Sequence, residues 1–283
     1  KRTLVVSVRR TLDFQTCRPS AHYQLPLVSS CPGACSYCYL LTTLGNRPFV
    51  RVYVNIDEIL QRAAEYTHKR LPEDTVFEGA ATSDPVPVER YTGSLTKAIE
   101  FFSAWDHARF RFVTKFTDVS AFLDARHAGK TEVRFSVNAE AVAREYEVGV
   151  PTVPARIVAA GRVAAHGFPT GFMIAPIIVG PGWKEQYEEL FRALSRAADE
   201  EPALGRATLE FVTHRYTGSA RHRICEVFPE RVPPMDDESR RFKFGQFGYG
   251  KYLYPPETME EIKGFFEAMV ASYLPGARWL YLV

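Results

Sequence analysis

Segments with the period of a β-strand alternate with segments of helical period along most of this chain of 283 residues. For example, the strand-like residues 52–54 lead into an amphipathic stretch from Ile56 to His68. Further strand-like runs lie at 75–77, 110–113, 133–137, 171–178, 207–212 and 279–283, and further helical runs lie at 94–102, 154–166, 183–198 and 259–273. This alternation predicts βαβ units and a parallel sheet, with any ligand site at the carboxyl ends of the strands. About six such units follow Cys38, so we expect an α/β fold built as a full or incomplete barrel.

Composition excludes several other classes of protein. Hydrophobic residues make up 46% of the chain and charged residues 24%, which is typical of a globular protein and not of a disordered one. No apolar run approaches the ~20 residues that a membrane span needs. The five cysteines are too few, and odd in number, for a disulfide scaffold. We therefore expect a single domain over 1–283, with 1–22 as an N-terminal lead-in and no membrane partner.

Charge is unevenly distributed although the net charge is only +2. Residues 1–55 contain seven Lys or Arg against one acid, Asp13. A basic face of this kind is weak evidence for a polyanionic partner. Scattered, solvated side chains are the alternative interpretation.

Three closely spaced cysteines are the most informative motif. Cys31, Cys35 and Cys38 form the pattern C-x3-C-x2-C within eight residues. Three thiolates this close can hold one metal centre and leave a fourth position open, whereas structural zinc and most iron–sulfur clusters have four protein ligands. Cys17 is a candidate fourth ligand, and three buried thiols without a metal remain the simplest alternative.

The spacing of these cysteines, with Tyr37 just before the last one, resembles the signature of the radical S-adenosylmethionine superfamily. The resemblance implies a partial (β/α)6 barrel, a [4Fe–4S] cluster on Cys31, Cys35 and Cys38, and S-adenosylmethionine on the remaining iron. Further blocks, in their order and spacing, resemble the spore photoproduct lyase family over essentially the whole chain. These blocks are 38–40, 51–55, 82–84, 111–115, 134–138, 182–183 and 250–252.

The second resemblance implies a lyase that repairs the UV lesion 5-thyminyl-5,6-dihydrothymine in DNA. In this family a 5′-deoxyadenosyl radical takes hydrogen from C6 of the lesion, and a cysteine then quenches the resulting thymine radical. The family's donor cysteine should fall at Ala81, which has no hydrogen to give in that way. The chain is thus either an engineered Cys→Ala variant or a natural homologue with another donor, and we expect impaired turnover. Tyr37 and Tyr39 are expected to return hydrogen to the cofactor, with aromatic packing as the alternative for Tyr37.

The same resemblance implies a set of residues that bind S-adenosylmethionine, most of them at or near the ends of predicted strands. Lys115 would pair with the carboxylate of the cofactor, and Ser83 and Ser136 would hydrogen-bond its polar groups. The remaining members of the expected set are Asp84, Asn138 and Tyr37. Without the resemblance, a surface lysine, strand-end serines and an N-cap at Asn138 would explain these residues equally well.

A segment in which aromatic, cationic and glycine residues interleave is the candidate DNA-binding element. It lies within 228–255, and its spacing fits a hairpin better than a helix. Cations neutralise phosphates, and aromatic rings can fill the gap left by an extruded base. The expected contact residues are Arg240, Arg241, Lys243, Tyr249 and Lys251. A purely structural hairpin is the alternative.

Two other functions compete with DNA repair. One is a radical enzyme of the same superfamily that acts on RNA or a peptide. The other is a zinc or DNA-binding module that uses Cys17 together with the three clustered cysteines. Under the leading hypothesis we expect an external electron donor of the flavodoxin or ferredoxin type, a monomer, UV-damaged DNA as partner, and a location in the cytoplasm of a bacterial spore or germinating cell.

Overall fold

A computed structural model describes residues 3–40, 49–244, 248 and 250–283. The chain forms thirteen described strands in three sheets. The strands are β1 Thr3–Ser7, β2 Thr16–Cys17, β3 Ala21–Gln24, β4 Val28–Ser29, β5 Phe49–Tyr53, β6 Thr75–Glu78, β7 Ala108–Thr114, β8 Thr131–Val137, β9 Thr170–Ile177, β10 Thr208–Thr213, β11 Arg241–Phe244, β12 Gly250–Leu253 and β13 Arg278–Leu282.

The eight-stranded main sheet has the order β13-β10-β9-β8-β7-β6-β3-β2. Every neighbouring pair in it is parallel except β2 and β3, which are antiparallel. Within the described residues β2 and β13 form the two edges, so the barrel is open. The predicted α/β alternation around a parallel sheet is confirmed, including the incomplete closure.

Helices connect most of these strands and cover the outer side of the sheet. They are α1 Ile56–His68, α2 Val86–Thr92, α3 Ser94–Ser103, α4 Glu140–Tyr146, α5 Val153–Ala165, α6 Trp183–Glu200, α7 Gly218–Val227 and α8 Pro256–Tyr273, with a 3₁₀ turn at Pro202–Arg206. In α1 the apolar residues Ile59, Leu60 and Ala63 recur at helical spacing and are buried. No helix in the described ranges is long and apolar enough to cross a membrane.

Aromatic packing joins the helices to the outer face of the sheet. Phe110 of β7 stacks on Phe102 of α3 with ring centroids 5.2 Å apart, and Phe112 lies edge-on to Phe122. Because side chains alternate along a strand, Arg111 between these two phenylalanines points to the opposite, inner face. The inner face of the barrel is therefore polar where the outer face is aromatic.

Charged side chains fill that inner face and form what we call the interior ion network. Arg134 on β8 pairs with Glu78 on β6 and with Glu210 on β10. Arg111 on β7 pairs with Glu132 at 2.7 Å and with Glu210 at 2.7 Å. Arg134 and Glu210 are fully buried. The five residues Glu78, Arg111, Glu132, Arg134 and Glu210 thus link four strands from inside the barrel.

The first strands and one helix start differ from the sequence-based expectation. The expected lead-in, residues 1–22, contains β1, which pairs with β5, and it contains β2 and the start of β3, which extend the main sheet. The assignment of Asn138 as a helix N-cap is wrong, because α4 begins at Glu140 with Ala139 as its N-cap. The amide of Asn138 instead donates to the carbonyl of Pro176 at 2.8 Å, and its oxygen accepts from the hydroxyl of Tyr187.

Gly171 on β9 provides the space that the buried side chain of Arg134 occupies. A Cβ at this position would lie 2.2 Å from Oγ1 of Thr208 and 3.0 Å from Cγ of Arg134. We expect Gly171→Ala to lower the free energy of unfolding by about 1–3 kcal/mol, because the added carbon overpacks a rigid interior. Urea unfolding followed by circular dichroism measures this.

Gly264 in α8 supplies the matched control. A Cβ there meets nothing within 4 Å, and alanine is the better helix former. Gly264→Ala should therefore raise the free energy of unfolding by about 0.5–1 kcal/mol. Equal effects of the two substitutions would contradict the packing argument.

Candidate active site

The three clustered cysteines lie on a loop that is hydrogen-bonded to the chain following α4. Cys35 is buried, and Cys31 and Cys38 are half-buried. The backbone N–H of Ala34 donates to the carbonyl of Val148 at 2.8 Å, and that of Ser36 donates to Tyr146 at 2.9 Å. These two bonds hold the loop at a defined position beside the carboxyl ends of β7 and β8.

The surroundings of Gly33 fit a metal–sulfur centre on this loop. The N–H of Gly33 donates to Sγ of Cys31 at 3.4 Å, and bonds of this kind stabilise the negative charge of a ligating thiolate. A Cβ on Gly33 would lie 2.7 Å from Val150 and 3.4 Å from that sulfur, so only glycine leaves the space free. Among the described His, Cys, Asp and Glu side chains, no three could hold a single metal ion. An iron–sulfur cluster places each thiolate on a different iron and does not require that convergence.

Lys115 lies directly after β7 and reaches a rim shared by several predicted cofactor residues. Its Nζ donates to Oγ of Ser136 at 2.9 Å and to Oε1 of Glu147 at 2.8 Å. Ser83 is buried on the neighbouring loop, where Ser30 and Ser83 form a parallel β-bridge. The structure therefore brings Lys115 and Ser136 into contact and places Ser83 on the loop after β6.

Glu147 is a member of this rim that the sequence analysis missed. Its carboxylate accepts hydrogen bonds from Lys115 and from the hydroxyl of Tyr37, and it pairs with Arg156. Burial alone would raise the pKa of Glu147, but Lys115 and Arg156 outweigh burial and lower it to about 2. Glu147 is therefore ionised and anchors both Tyr37 and Lys115. No local motif marks it, because its partners come from distant segments.

Asp84 and Asn138, two of the expected cofactor residues, both form hydrogen bonds within the protein. Asp84 is buried and accepts hydrogen bonds from the hydroxyl of Thr114 at 2.8 Å and from the backbone N–H of Lys115 at 3.0 Å. Burial raises the pKa of Asp84 to about 6, although these hydrogen bonds oppose the shift. Asp84 thus fastens the loop that bears Ser83 to the end of β7, and Asn138 joins β9 to Tyr187 of α6 as described above.

Tyr39 and Ala81 meet at the same end of the sheet. The phenol of Tyr39 donates a hydrogen bond to the carbonyl oxygen of Ala81, while about half of the side chain, 54%, stays exposed. The pKa of Tyr39 is raised, mainly because its hydroxyl is poorly hydrated and further because the thiols of Cys38 and Cys17 lie nearby. The two predicted catalytic positions are therefore adjacent.

Cys17, which the sequence analysis considered only as a fourth metal ligand, has a different position in the structure. It lies on β2 at the edge of the main sheet, half-buried. Burial, and then the neighbouring carboxylate of Glu78, raise the pKa of the Cys17 thiol to about 12. The thiol is therefore protonated at neutral pH, and it is close enough to Tyr39 to contribute to the raised pKa of that phenol. Only the folding of β2 against β3 brings it there, and a two-residue strand has no detectable period.

The predicted hairpin is confirmed as the antiparallel pair β11 and β12. Tyr252 exchanges two backbone hydrogen bonds with Tyr216 and stacks on its ring at 5.1 Å, which ties the hairpin to the chain after β10. Phe242 and Phe244 of β11 are 49% and 70% exposed. Exposed aromatic residues on an anchored hairpin form a surface on which a planar base could stack.

The cationic residues of the hairpin fall into two groups. Arg240 lies 3.7 Å over the ring of Tyr254 and donates to the carbonyl of His214 at 2.8 Å. It therefore attaches the start of the hairpin to the chain after β10. Arg241 and Lys243 are exposed, and Lys243 lies directly opposite Lys251 in the ladder. Like charges in that arrangement repel each other unless an anion lies between them. Tyr249 lies outside the described residues.

The matches to known proteins cover essentially the whole chain. The family model described as "SPL: Spore photoproduct lyase" matches residues 1–283. A spore photoproduct lyase of Clostridium acetobutylicum is 50% identical over 285 residues, which cover 100% of this chain and 83% of that protein. Another, of a Geobacillus species, is 44% identical over 99% of this chain and 82% of that protein.

A solved structure is similar over the same range. It is a mutant spore photoproduct lyase with bound AdoMet and dinucleoside spore photoproduct, 44% identical, with a TM-score of 0.96 over 99% of this chain and 82% of that one. Its two substitutions, serine to cysteine and then cysteine to alanine, are separated along the chain by the same number of residues as Cys17 and Ala81.

These matches confirm the predicted partial barrel and the predicted lyase. They favour the repair hypothesis over a zinc module and over a radical enzyme with another substrate. Both the family match and the identities reach over the whole chain, including the cysteine loop and the hairpin. The chain therefore belongs to the spore photoproduct lyase family.

Proposed function

We propose that this protein reverses spore photoproduct in UV-damaged DNA by radical chemistry, and that Cys17 takes the place of the donor cysteine expected at Ala81. The observation that carries the proposal is the meeting of the cysteine loop, the Lys115 rim and the Tyr39 phenol at one end of the sheet. The similar solved structure with AdoMet and dinucleoside spore photoproduct supports both the cofactor and the lesion.

The cysteine loop and the Lys115 rim are the proposed cofactor site. Cys31, Cys35 and Cys38 would hold three irons of a [4Fe–4S] cluster, and Lys115 would bind the carboxylate of S-adenosylmethionine. Bound together, cluster and cofactor supply a 5′-deoxyadenosyl radical. Ser136 and Ser83 would orient polar groups of the cofactor, and Glu147 holds Lys115 and Tyr37 in place for it. Asp84 supports this site through the loop that it fastens.

The donor step uses the thiol of Cys17. After the lesion's linking bond has broken, the S–H bond of Cys17 breaks and its hydrogen atom forms a C–H bond on the thymine radical, leaving a thiyl radical. The O–H hydrogen of Tyr39 then passes to that sulfur, and a phenoxyl radical forms on Tyr39. Tyr37 would then give its phenolic hydrogen to the Tyr39 oxygen and would recover a hydrogen from 5′-deoxyadenosine, so that the radical returns to the cofactor. The protonated state of Cys17, which its raised pKa ensures, is the state that can give a hydrogen atom.

Partners outside the chain complete the proposal. An electron donor of the flavodoxin or ferredoxin type would reduce the cluster, and the protein would act as a monomer in the cytoplasm of a spore or germinating cell. The family resemblance supports these assignments. Exposed Phe244, with Arg241, Lys243 and Lys251, would contact the damaged strand.

Replacement of Cys17 tests the donor assignment. We expect Cys17→Ala to lower the yield of repaired thymine dinucleotide at least about 10-fold and to produce thymine-radical adducts, because the other thiol near Tyr39, that of Cys38, would be a cluster ligand. Anaerobic turnover of dinucleoside spore photoproduct, resolved by chromatography and mass spectrometry, measures both products.

The matched control for that test is Cys225→Ala, since Cys225 is an exposed cysteine on α7. It should leave the product ratio unchanged. The double variant Cys17→Ala/Ala81→Cys should recover clean repair, because it moves the thiol to the other position facing Tyr39. Clean turnover by Cys17→Ala alone would show that the donor assignment is wrong.

Replacement of Lys115 tests the cofactor site. We expect Lys115→Met to weaken S-adenosylmethionine binding about 10-fold or more, because a charged hydrogen bond contributes about 1.5–3 kcal/mol. Equilibrium binding to the reconstituted protein measures this, and iron content checks that the cluster is retained. Lys97→Met, which removes a lysine paired with Asp57 on the surface, is the control and should bind the cofactor normally.

Salt dependence tests the hairpin as a DNA-binding surface. Lys243→Ala and Arg241→Ala should each weaken binding to lesion-bearing duplex and reduce the slope of log K against log salt concentration by about 0.9, the contribution of one phosphate contact. Lys263→Ala on α8 removes an exposed lysine elsewhere and should leave the slope unchanged. An unchanged slope in the hairpin variants would assign DNA binding to another surface.

A further inference from the structure

The turn that follows Cys17 is attached to the interior ion network. Ser20 lies between β2 and β3 and donates from Oγ to Oε2 of Glu78 at 2.7 Å. Arg111 donates to the carbonyl oxygen of Ser20 at 2.7 Å, and Arg134 reaches the Ser20 hydroxyl at 3.3 Å. Three members of the network therefore hold one serine, three residues along the chain from the proposed donor.

The carboxylate of Glu78 contacts a second segment at the same time. Its Oε1 accepts a hydrogen bond from the backbone N–H of Ala80 at 3.1 Å. The next residue, Ala81, provides the carbonyl to which the Tyr39 phenol donates. One buried side chain thus connects the turn after Cys17 to the loop that positions the Tyr39 hydroxyl.

The backbone around Cys17 cannot supply this positioning alone. Strand β2 has only two residues and lies at an edge of the sheet. Its pairing with β3 is irregular, because the register shifts between Thr16 and Cys17. A short, shifted edge ladder leaves the backbone weakly held, whereas hydrogen-atom transfer depends steeply on the distance between donor and acceptor.

We propose that the hydrogen bond from Ser20 to Glu78 positions the Cys17 thiol relative to Tyr39 and the Ala81 loop. Ser20 and Glu78 are positioning residues in this proposal, since they act on the donor through the backbone of the turn that follows it. The inference rests on the proposed function, because it presumes that Cys17 gives the hydrogen atom. The bond keeps the thiol close enough to quench the thymine radical before the radical reacts elsewhere.

Product partition in Ser20→Ala tests the proposal. With reconstituted protein and dinucleoside spore photoproduct, we expect the 5′-deoxyadenosine released per lesion repaired to rise at least about 3-fold, because a displaced thiol quenches less often. Ser20→Thr keeps the hydroxyl and should restore the ratio. Ser103→Ala is the matched control: it removes another buried hydroxyl, which bonds to the carbonyl of Glu100 at 2.7 Å far from the site.

A second measurement needs no cofactor. Alkylation of Cys17 in the metal-free protein, located by peptide mass spectrometry, should be at least about 3-fold faster in Ser20→Ala than in the unsubstituted protein, and unchanged in Ser103→Ala. The faster reaction follows because the turn is no longer held over the network. Both the ratio and the alkylation rate must change for the proposal to stand.

The outcomes separate this proposal from the donor assignment. If Cys17→Ala disturbs the products but Ser20→Ala leaves the ratio unchanged, the positioning role is wrong and Cys17 remains the donor. If Cys17→Ala has no effect on the products, the donor assignment fails and the positioning role fails with it. Equal changes in Ser20→Ala and Ser103→Ala would reveal general destabilisation and would also overturn the positioning role.

Discussion

The pairing of charges inside the barrel is the interaction on which the rest of the structure depends. Removing an ion from water costs several kcal/mol, and only a complete set of partners offsets that cost. In the interior ion network, β6, β8 and β10 contribute the carboxylates that pair with Arg111 of β7 and Arg134 of β8. A slip of any one of these strands would break at least one buried ion pair. The network therefore specifies the register of the strands whose ends carry the site.

A second buried carboxylate, that of Glu147, fixes several side chains near the carboxyl end of β7. It accepts a hydrogen bond from Tyr37 and pairs with Lys115 and Arg156. The adjoining backbone at 146 and 148 holds the cysteine loop through two hydrogen bonds. The cysteine loop and Lys115 are therefore parts of one connected unit, while the hairpin with exposed Phe244 is the proposed DNA-contacting surface.

The sequence could predict what depends on local pattern. Strand and helix periods located most elements from β5 onwards within a few residues, and the spacing of Cys31, Cys35 and Cys38 predicted a cluster on their loop. It could not predict what depends on tertiary neighbours. Glu147 carries no motif, and β2 is too short to show a period. Asn138 resembled a helix N-cap because capping rules consider only neighbouring residues in the sequence. In the structure its amide nitrogen donates to the carbonyl of Pro176, and its amide oxygen accepts from Tyr187.

The adjacency of Tyr39 to two separate segments has a consequence for how such a site can evolve. Its hydroxyl donates to the carbonyl oxygen of Ala81, and the Cys17 thiol on the sheet edge is close enough to contribute to the raised pKa of the phenol. Under the proposed donor assignment, a thiol on either segment would act on this one tyrosine. A lineage could therefore move its hydrogen donor from one segment to the other while keeping the same tyrosine.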